Sequence, residues 1–332
     1  MSVLFTRRQV GQGAAALAAS AVAAAVPLLS QAQAKIKIKY ANSGGAASTA
    51  VVFAKKVFAE VTRRTNGEVE FDVFAGTLGG EKTLLDGLAL GTVDMTTTAY
   101  TGTREFDILY APYMVRDAEH AGKVVNGALR ERFSKLMKDR YDAQFLGVAR
   151  DGPFCLFTKN RVSSFGGIKG MKIRAGEIEG VIAGLQHLGA RPTVVAFNEV
   201  YTSLQQNLVD GMVTLPNLAL VMKFNEVCKY YVTNDFGIGL GKWTVASRVW
   251  NRLSPAQRQV IQQTFNELED NDYYAAVKRQ APIDVKRWDE VNGAGTAFAL
   301  DAKAAQAEMA PLNAKLANEV FGSGTWDLIL KA

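Results

Sequence analysis

The chain has few of the residues on which most enzyme chemistry depends. Its 332 residues include two cysteines and two histidines, and these do not show the spacing of metal ligands. It lacks a G-x-S-x-G segment, which would place a nucleophilic serine on a sharp turn. Gly76 to Thr83 superficially suggests a phosphate loop, but Glu81 stands where glycine must precede the lysine. These absences argue against an enzyme and predict no bound metal and no cofactor.

Clustered positive charge is also absent. Charged residues make up 21% of the chain, and Arg7 and Arg8 near the N-terminus contribute two of the formal net charge of +6. The other lysines and arginines are dispersed among acids, without the aromatic residues that accompany a basic nucleic-acid surface. We therefore expect no nucleic-acid partner. An apolar content of 48% is typical of a soluble globular protein, and the length favours two domains.

The cysteines and histidines are more simply interpreted as structural residues. His120 follows an expected helix cap at Asp117, and His187 lies near the end of a helix. Cys155 and Cys228 leave two interpretations, one disulfide in an oxidising compartment or two buried thiols. We favour buried thiols, because Cys155 lies inside an apolar run.

The longest apolar run is at the N-terminus. Arg7 and Arg8 form a twin-arginine pattern, followed by the apolar run Ala14 to Leu29 and the small-x-small site Ala32 to Ala34. We expect residues 1–34 to be a cleaved signal peptide of the twin-arginine type, which predicts a periplasmic protein that does not span the membrane. Sec export is an alternative. A membrane anchor is disfavoured, because the run is short and contains Pro27.

Beyond this leader, the hydrophobic pattern alternates between strand and helix. Lys35 to Tyr40 and Glu68 to Phe74 alternate apolar and polar residues, whereas Ala46 to Arg64 has an apolar stripe at helical spacing. A helix from about Glu81 to Leu90 then leads into a strand at Val93 to Thr97. This order predicts a right-handed, mainly parallel α/β unit.

A second unit of this kind spans Gly170 to Thr214. Its first strand carries Arg174 and leads into a helix that stops at Gly189. Ligands bind at such strand ends in open α/β sheets, and a permanently charged guanidinium suits a carboxylate in a two-bond fork. An internal salt bridge from Arg174 to Glu177 or Glu179 is the alternative.

The two units predict two lobes. Each contains a helix followed by a Val-Asp step into a strand, at Val93-Asp94 and at Val209-Asp210. Strands at about Gly147 to Phe157 and from Gly237 onward are expected to cross between the lobes, and Ser254-Pro255 begins a long helix that could span both. We expect lobe I to comprise 35–150 plus about 240–280, and lobe II to comprise 151–239 plus about 281–332.

Several motifs resemble those of one family. They are G-M-K-I-R ending at Arg174, L-G-A-x-P at 188–192, F-N-E-V-Y-T-S-L-Q-Q-x-x-V-D-G at 197–211, F-A-G-T-L-G-G-E at 74–81, L-x-x-G-T-V-D-M at 88–95, A-P-Y-M-V-R-D-A-E-H-A at 111–121 and L-S-P-A-Q-R at 253–258. The chain resembles the DctP-like solute-binding proteins of TRAP transporters, the tripartite ATP-independent periplasmic carriers. The resemblance covers essentially the whole chain after the leader.

This resemblance implies a fold, a function and partners. It implies a two-lobed periplasmic-binding-protein fold, type II-like, in which each lobe is a mainly parallel sheet flanked by helices and a long helix bridges the lobes. The implied function is to bind an organic acid through its carboxylate and deliver it to integral membrane permease subunits. A ligand-sensing receptor subunit of a signalling system and a secreted enzyme on the same fold are the alternatives.

The resemblance also assigns candidate ligand-binding residues. Arg174 matches the family's carboxylate partner, and Phe197 matches an aromatic residue that packs against the ligand, although it could equally belong to the lobe core. Ser43, Glu81 and Tyr100 fall on loops or strand ends that face the cleft in the family pattern. Each of these three is also an ordinary loop residue or helix cap.

The chain departs from the family pattern at two candidate positions. Thr214, forty residues after Arg174, replaces an asparagine of many members, and Asn217 could substitute for it if the turn is shifted. Phe154, twenty residues before Arg174, replaces a second arginine found in many members. A lost cation and a gained apolar surface imply a ligand with one carboxylate and a less polar body.

Overall fold

A computed structural model describes residues 35–99 and 103–332 of the chain. All the strands found in these residues belong to one sheet. The expected signal peptide and Tyr100 lie outside these described residues. The strands are Ile36–Asn42 (β1), Val69–Ala75 (β2), Met95–Thr98 (β3), Ala143–Thr158 (β4), Lys172–Ala175 (β5), Arg191–Val194 (β6), Gly211–Thr214 (β7), Tyr230–Ala246 (β8) and Ala297–Phe298 (β9). Their order is β2-β1-β3-β8-β4-β7-β5-β6, and β9 pairs with β8.

Two parallel groups of strands are joined by an antiparallel pair. β1 pairs in parallel with β2 and β3, and β5 pairs in parallel with β6 and β7. Between the groups, β4 and β8 run antiparallel over 16 and 17 residues. β3 pairs with Lys242 to Val245 of β8, whereas β7 pairs with Cys155 to Thr158 of β4. This confirms the expected two-lobed α/β architecture with two crossing strands.

Helices cover both faces of the sheet. They are Thr49–Arg64 (α1), Glu81–Leu90 (α2), Arg104–Asp107 (α3), Ala118–Lys123 (α4), Arg130–Tyr141 (α5), Glu179–His187 (α6), Val200–Gln205 (α7), Pro216–Val221 (α8), Ser247–Trp250 (α9), Pro255–Leu268 (α10), Ala275–Asn292 (α11), Lys303–Phe321 (α12) and Thr325–Lys331 (α13). Within the described part of the chain, none of them has the length and apolar character needed to cross a membrane.

The two faces of the sheet differ in how the lobes are packed. On one face, here called the joined face, a single core includes Leu84 of α2 and Leu185 of α6 and therefore belongs to both lobes. On the other face, here called the cleft face, the lobes have separate cores. Phe53 of α1 packs there with Trp243, whereas Phe157 of β4 packs with Trp288 of α11. The lobes are thus held together on one face and divided on the other.

A long helical segment bridges the two cores of the cleft face. It begins at the expected residue, since Ser254 and Gln257 form a reciprocal capping box and Pro255 occupies the first turn. The segment continues through α10, a π-helical stretch at 269–274 and α11. Tyr273 belongs to the lobe I core and Trp288 to the lobe II core. The expected bridging helix is therefore present.

The Val-Asp repeat has the same geometry in both lobes. In lobe I, Asp94 donates its N–H to Lys39 O at 3.0 Å, and its Oδ2 accepts the Lys39 N–H at 2.8 Å. In lobe II, Asp210 donates to Lys172 O at 2.7 Å and accepts the Lys172 N–H at 2.8 Å. Each aspartate thus fixes the start of one strand against its parallel neighbour. The repeated Val-Asp step therefore makes the same pair of hydrogen bonds in both lobes.

The last two helices contact residues from both expected lobes. The His120 ring of α4 bonds to Ile329 O at 2.7 Å, and Arg132 of α5 donates to Phe321 O at 2.8 Å. Met309 of α12 lies in the joined-face core together with Leu185 of α6. The assignment of residues 281–332 to lobe II stays a prediction. Their contacts with α4 and α5, which lie within the expected lobe I, show that this segment does not pack against lobe II alone.

Candidate functional site

Arg174 is buried at the C-terminal end of a parallel strand. It is 5% exposed and follows Ile173, whose side chain lies in the joined-face core, so strand alternation turns Arg174 to the cleft face. Its Nε donates to Val195 O at 3.0 Å, which orients the guanidinium plane. The guanidinium carbon lies 5.7 Å from the centre of the Phe197 ring. The sequence therefore places a fixed cation against an aromatic ring at the strand end.

Glu179 forms its salt bridge with Arg104 rather than with Arg174. Its carboxylate accepts a hydrogen bond from Arg104 Nε at 2.7 Å, which links α6 of lobe II to α3. Glu177 is exposed in the loop between β5 and α6. The alternative in which Glu179 serves as the partner of Arg174 is therefore not the arrangement observed.

Thr214 and Phe197 lie on the same face as Arg174. Arg174 is paired with Met212 across β5 and β7, and Thr214 comes two residues after Met212 at the end of β7. Thr214 is 2% exposed. Phe197 is half-buried and contacts Phe224 of the lobe II core edge-on, with ring centres 5.8 Å apart. Phe197 therefore packs against the lobe core and against the guanidinium at once.

Phe154 lies on the joined face of the sheet, whereas Arg174 lies on the cleft face, and the ligand contact expected for Phe154 stays a prediction. Its ring packs against Tyr110 and the joined-face core, with ring centres 5.5 Å apart. The β4 residue directly opposite Thr214 is Cys155, a buried thiol on the cleft face. The side chains alternate along β4, and the β4–β8 register shifts between Phe154 and Leu156. Neither residue 154 nor residue 155 is charged, so no second arginine stands at this point of the strand.

Asn217 and the lobe I candidates mark the ends of secondary-structure elements. The Asn217 Oδ1 accepts the Leu218 N–H at 2.8 Å within the first turn of α8. Glu81, the first residue of α2, accepts the Ala99 N–H at 3.1 Å and so ties this helix to the end of β3. Ser43 is exposed just after β1. These contacts position local structure, and the ligand contacts expected for the three residues stay predictions.

The stretch where β4 and β8 cross between the lobes contains a group of residues that sequence reasoning missed. Asp151 of β4 is half-buried there, and its Oδ1 accepts a hydrogen bond from Tyr273 Oη at 2.5 Å. Two glycines of β8, Gly239 and Gly241, lie beside it. The available signal was the charged pair Arg150-Asp151 inside an otherwise apolar strand.

Burial has a strong effect on this carboxyl. Removal from water raises the pKa of Asp151 to about 6, against the hydrogen bond from Tyr273, and the charges of Glu81 and Glu269 raise it further. Asp151 therefore lies in a poorly solvated and electrostatically negative part of the molecule. It is ionised in most molecules at neutral pH.

This raised pKa predicts that Asp151→Asn stabilises the protein at neutral pH. At pH 4 the carboxyl is protonated in the folded state and about half ionised in the unfolded state, so the variant should gain only about 0.5 kcal/mol. Between pH 4 and pH 6 the unfolded state ionises first, and the wild type loses up to about 3 kcal/mol that the neutral variant keeps. Denaturant unfolding at pH 4 and pH 7 measures the difference. The exposed Asp139 supplies the control Asp139→Asn; a stability gain for Asp151→Asn that is equal at both pH values would contradict the assignment.

Both cysteines and His120 are buried in the described part of the chain. Cys155 and Cys228 are free and buried in the lobe II core. The His120 Nδ1 accepts the Arg116 N–H at 3.0 Å, and burial lowers the pKa of this histidine. The described residues contain no group of three or more histidine, cysteine, aspartate or glutamate side chains that could hold a metal ion.

Comparison with known proteins identifies similar chains. The family described as "Bacterial extracellular solute-binding protein, family 7" (DctP) matches residues 40–319. A solute-binding protein of Roseobacter denitrificans, RD1_1052, is 29% identical over 63% of this chain and 66% of its own. The C4-dicarboxylate-binding periplasmic protein DctP of Rhodobacter capsulatus is 29% identical over 62% and 63%. The chain thus spans about two thirds of the length of these relatives.

A solved structure confirms the fold. The TRAP periplasmic solute-binding protein of Pseudomonas putida F1, with bound D-glucuronate, superposes with a TM-score of 0.78. The match covers 89% of this chain and 97% of that one, at 21% sequence identity.

Proposed function

The chain belongs to family 7 of the bacterial extracellular solute-binding proteins, the solute-binding proteins of TRAP transporters, and we propose that it binds an organic acid through Arg174. The observation that carries this proposal is the placement of Arg174. Its guanidinium is buried at the C-terminal edge of a parallel sheet, oriented by Val195 and flanked by Phe197. A buried, permanently charged fork at this edge suits a carboxylate, because it offers two parallel hydrogen bonds.

The separate cores of the cleft face support a closing motion. A ligand that contacts both lobes at once stabilises the closed form over the open one, because only differential affinity shifts such an equilibrium. The joined face and the long bridging helix would keep the lobes attached during this motion. We propose lobe I as 35–150 plus about 240–280 and lobe II as 151–239 plus about 281–332.

We propose a ligand with a single carboxylate and a less polar body. The relatives alone do not decide this, since one is named for C4-dicarboxylates and another was solved with D-glucuronate, which has one carboxylate. The residues of this chain favour one carboxylate, because Cys155 and Thr214, which lie opposite each other on β4 and β7, carry no positive charge. Thr214 would donate one hydroxyl hydrogen bond to the carboxylate that Arg174 binds, and Phe197 would cover the ligand's apolar part.

The proposed setting is the periplasm. Residues 1–34 would direct export, and the folded protein would deliver its ligand to integral membrane TRAP permease subunits. Family members are extracytoplasmic solute-binding proteins. We propose no cofactor, no metal and no catalytic step.

Native mass spectrometry of the protein purified from its own host tests the proposed function. We expect a co-purified small acid with one carboxyl group, released on denaturation. Calorimetry with the identified acid then gives its affinity. Tight binding of a dicarboxylate or of sialic acid, with no monocarboxylate detectable, would overturn the proposed ligand class, and conversion of the bound acid to a product would indicate an enzyme instead.

A further inference from the structure

The two parallel groups of strands point toward each other. β4 starts beside the group of β1 to β3 and ends beside β7, and the antiparallel pairings give β3 the direction of β4 and β7 the opposite direction. β3 ends with Thr98 opposite Lys242 of β8, whereas β7 ends with Thr214 opposite Cys155 of β4. Ligands bind beyond the C-terminal ends of strands in such sheets. The end of β3 and the end of β5, which carries Arg174, therefore both border the proposed site.

The residue that follows β3 is held by side chains from three distant places. The Ala99 N–H donates to Glu81 at 3.1 Å, and Ala99 O accepts hydrogen bonds from Lys242 Nζ at 3.1 Å and from Tyr110 Oη at 2.7 Å. Tyr110 has one hydroxyl proton for two carbonyl oxygens, because Leu240 O lies 2.5 Å from the same hydroxyl. Lys242 is thus the donor that carries a charge of its own to Ala99 O. We call this set of three side chains the Ala99 clamp.

Lys242 is an unusual residue for its position. It is 0% exposed, and its Nζ lies 4.8 Å from the centre of the Phe106 ring. Burial lowers the pKa of Lys242 to about 8, although the charges of Glu81 and Asp107 act in the opposite direction. At neutral pH the side chain is therefore a buried ammonium, and its desolvation lowers the stability of the folded protein.

The side chain of Lys242 lies on the opposite face of the sheet from Arg174. Trp243, the next residue of β8, belongs to the cleft-face core, so strand alternation turns Lys242 to the joined face. Arg174 is on the cleft face. Any effect of Lys242 on a ligand held by Arg174 therefore passes through the backbone of Ala99, at the end of β3.

We propose that Lys242 is a positioning residue of the ligand site, which fixes the end of β3 so that this edge of lobe I is already formed when the lobes close on the acid. This inference rests on the proposed function. An edge that has to be ordered at the moment of binding costs affinity, whereas a preformed edge does not. The charge on Lys242 strengthens its hydrogen bond to Ala99 O, because an ionised donor binds a carbonyl more strongly than a neutral one.

Lys242→Met tests this role, because methionine has a similar length and no charge. Affinity should fall by about tenfold, measured by calorimetry at pH 7 with the acid that co-purifies from the host and with D-glucuronate, orotate and succinate as further probes. Thermal unfolding should nevertheless move to a higher temperature at pH 7, since the buried ammonium is gone. This gain should shrink between pH 8 and about pH 10.5, where the lysine of the unfolded wild type still holds the proton that the folded state has released. The exposed Lys229, just before β8, supplies the control Lys229→Met.

Amide hydrogen exchange shows whether the clamp itself has loosened. In Lys242→Met the Ala99 N–H should exchange faster than in wild type, although the variant as a whole is more stable. Tyr110→Phe removes the other donor to Ala99 O and should also speed this exchange and weaken binding. It should lower the unfolding temperature, because the bonds to Leu240 are lost as well. In Lys229→Met, exchange at Ala99 and affinity should both match wild type.

The results distinguish the role of Lys242 from that of Arg174. Unchanged exchange at Ala99 in Lys242→Met would overturn the proposal, and so would faster exchange with unchanged affinity. A lower unfolding temperature for this variant would make the lysine a structural tie of the fold and also contradict the proposal. If Lys242→Met weakens binding but Arg174→Ala does not, the carboxylate site is wrong and the role of Lys242 stands. If the wild type binds no acid, co-purified or added, both proposals fail.

Discussion

Arg174→Ala should weaken binding of the carboxylate ligand by about 30-fold to several thousandfold. The guanidinium is 5% exposed, so a bound carboxylate at this point would be removed from water and depend on it for compensation. Without the arginine, the carboxylate would lose its hydrogen bonds and remain poorly solvated. Calorimetric titration of the co-purified acid into wild type and variant measures the loss.

Arg174→Lys should also bind poorly, because a lysine ammonium is a point charge that cannot form the planar two-bond fork. Nor can it donate to Val195 O as the Nε does at 3.0 Å. Arg191→Ala provides a matched control, since this arginine lies on the adjacent strand β6 but is exposed. An affinity of Arg174→Ala within about threefold of wild type, with the control unchanged, would refute the central role of Arg174.

Much of the fold could be predicted because its signals are local. The strand alternation at Ile36 to Tyr40, the helix start at Ser254 and the Val-Asp steps are each set by a few neighbouring residues. The predicted position of Arg174 at a strand end followed from the strand-to-helix order and was confirmed. The two-lobed fold required the resemblance as well, since periodicity alone does not show how the β4–β8 pair joins the lobes.

The parts of the site that escaped prediction depend on contacts between distant residues. A count of twenty residues back from Arg174 selects Phe154, but the face of a strand changes with every residue and the irregular β4–β8 register moves the pairing. The residue opposite Thr214 is Cys155, one position further along β4. Asp151 is connected to Tyr273 across 122 positions and Arg150 to Glu269 across 119. No local pattern in the sequence predicts such pairs.

Arg150→Met should destabilise the protein by about 3–5 kcal/mol, which corresponds to a loss on the order of 10 °C in Tm. Arg150 and Glu269 are 8% and 4% exposed, and the guanidinium also contacts Asp270 and lies 4.0 Å from the centre of the Tyr274 ring. Removal of Arg150 leaves the Glu269 carboxylate buried without its cation. Because Glu269 begins the π-helical stretch that carries Tyr273, the bond from Tyr273 to Asp151 should loosen as well.

The double variant Arg150→Met, Glu269→Leu separates the cost of an unpaired charge from the value of the pair. Two apolar side chains of similar volume should recover a large part of the lost stability, because a buried ion pair pays a desolvation penalty that they avoid. Lys278→Met is the surface control: the Lys278–Glu119 pair lies nearby at 2.9 Å, with both side chains more than half exposed, and its loss should cost at most about 1 kcal/mol. Chemical denaturation at pH 7 measures all three variants. If the double variant is as unstable as Arg150→Met, the loss arises from packing around Tyr274 and not from the unpaired carboxylate.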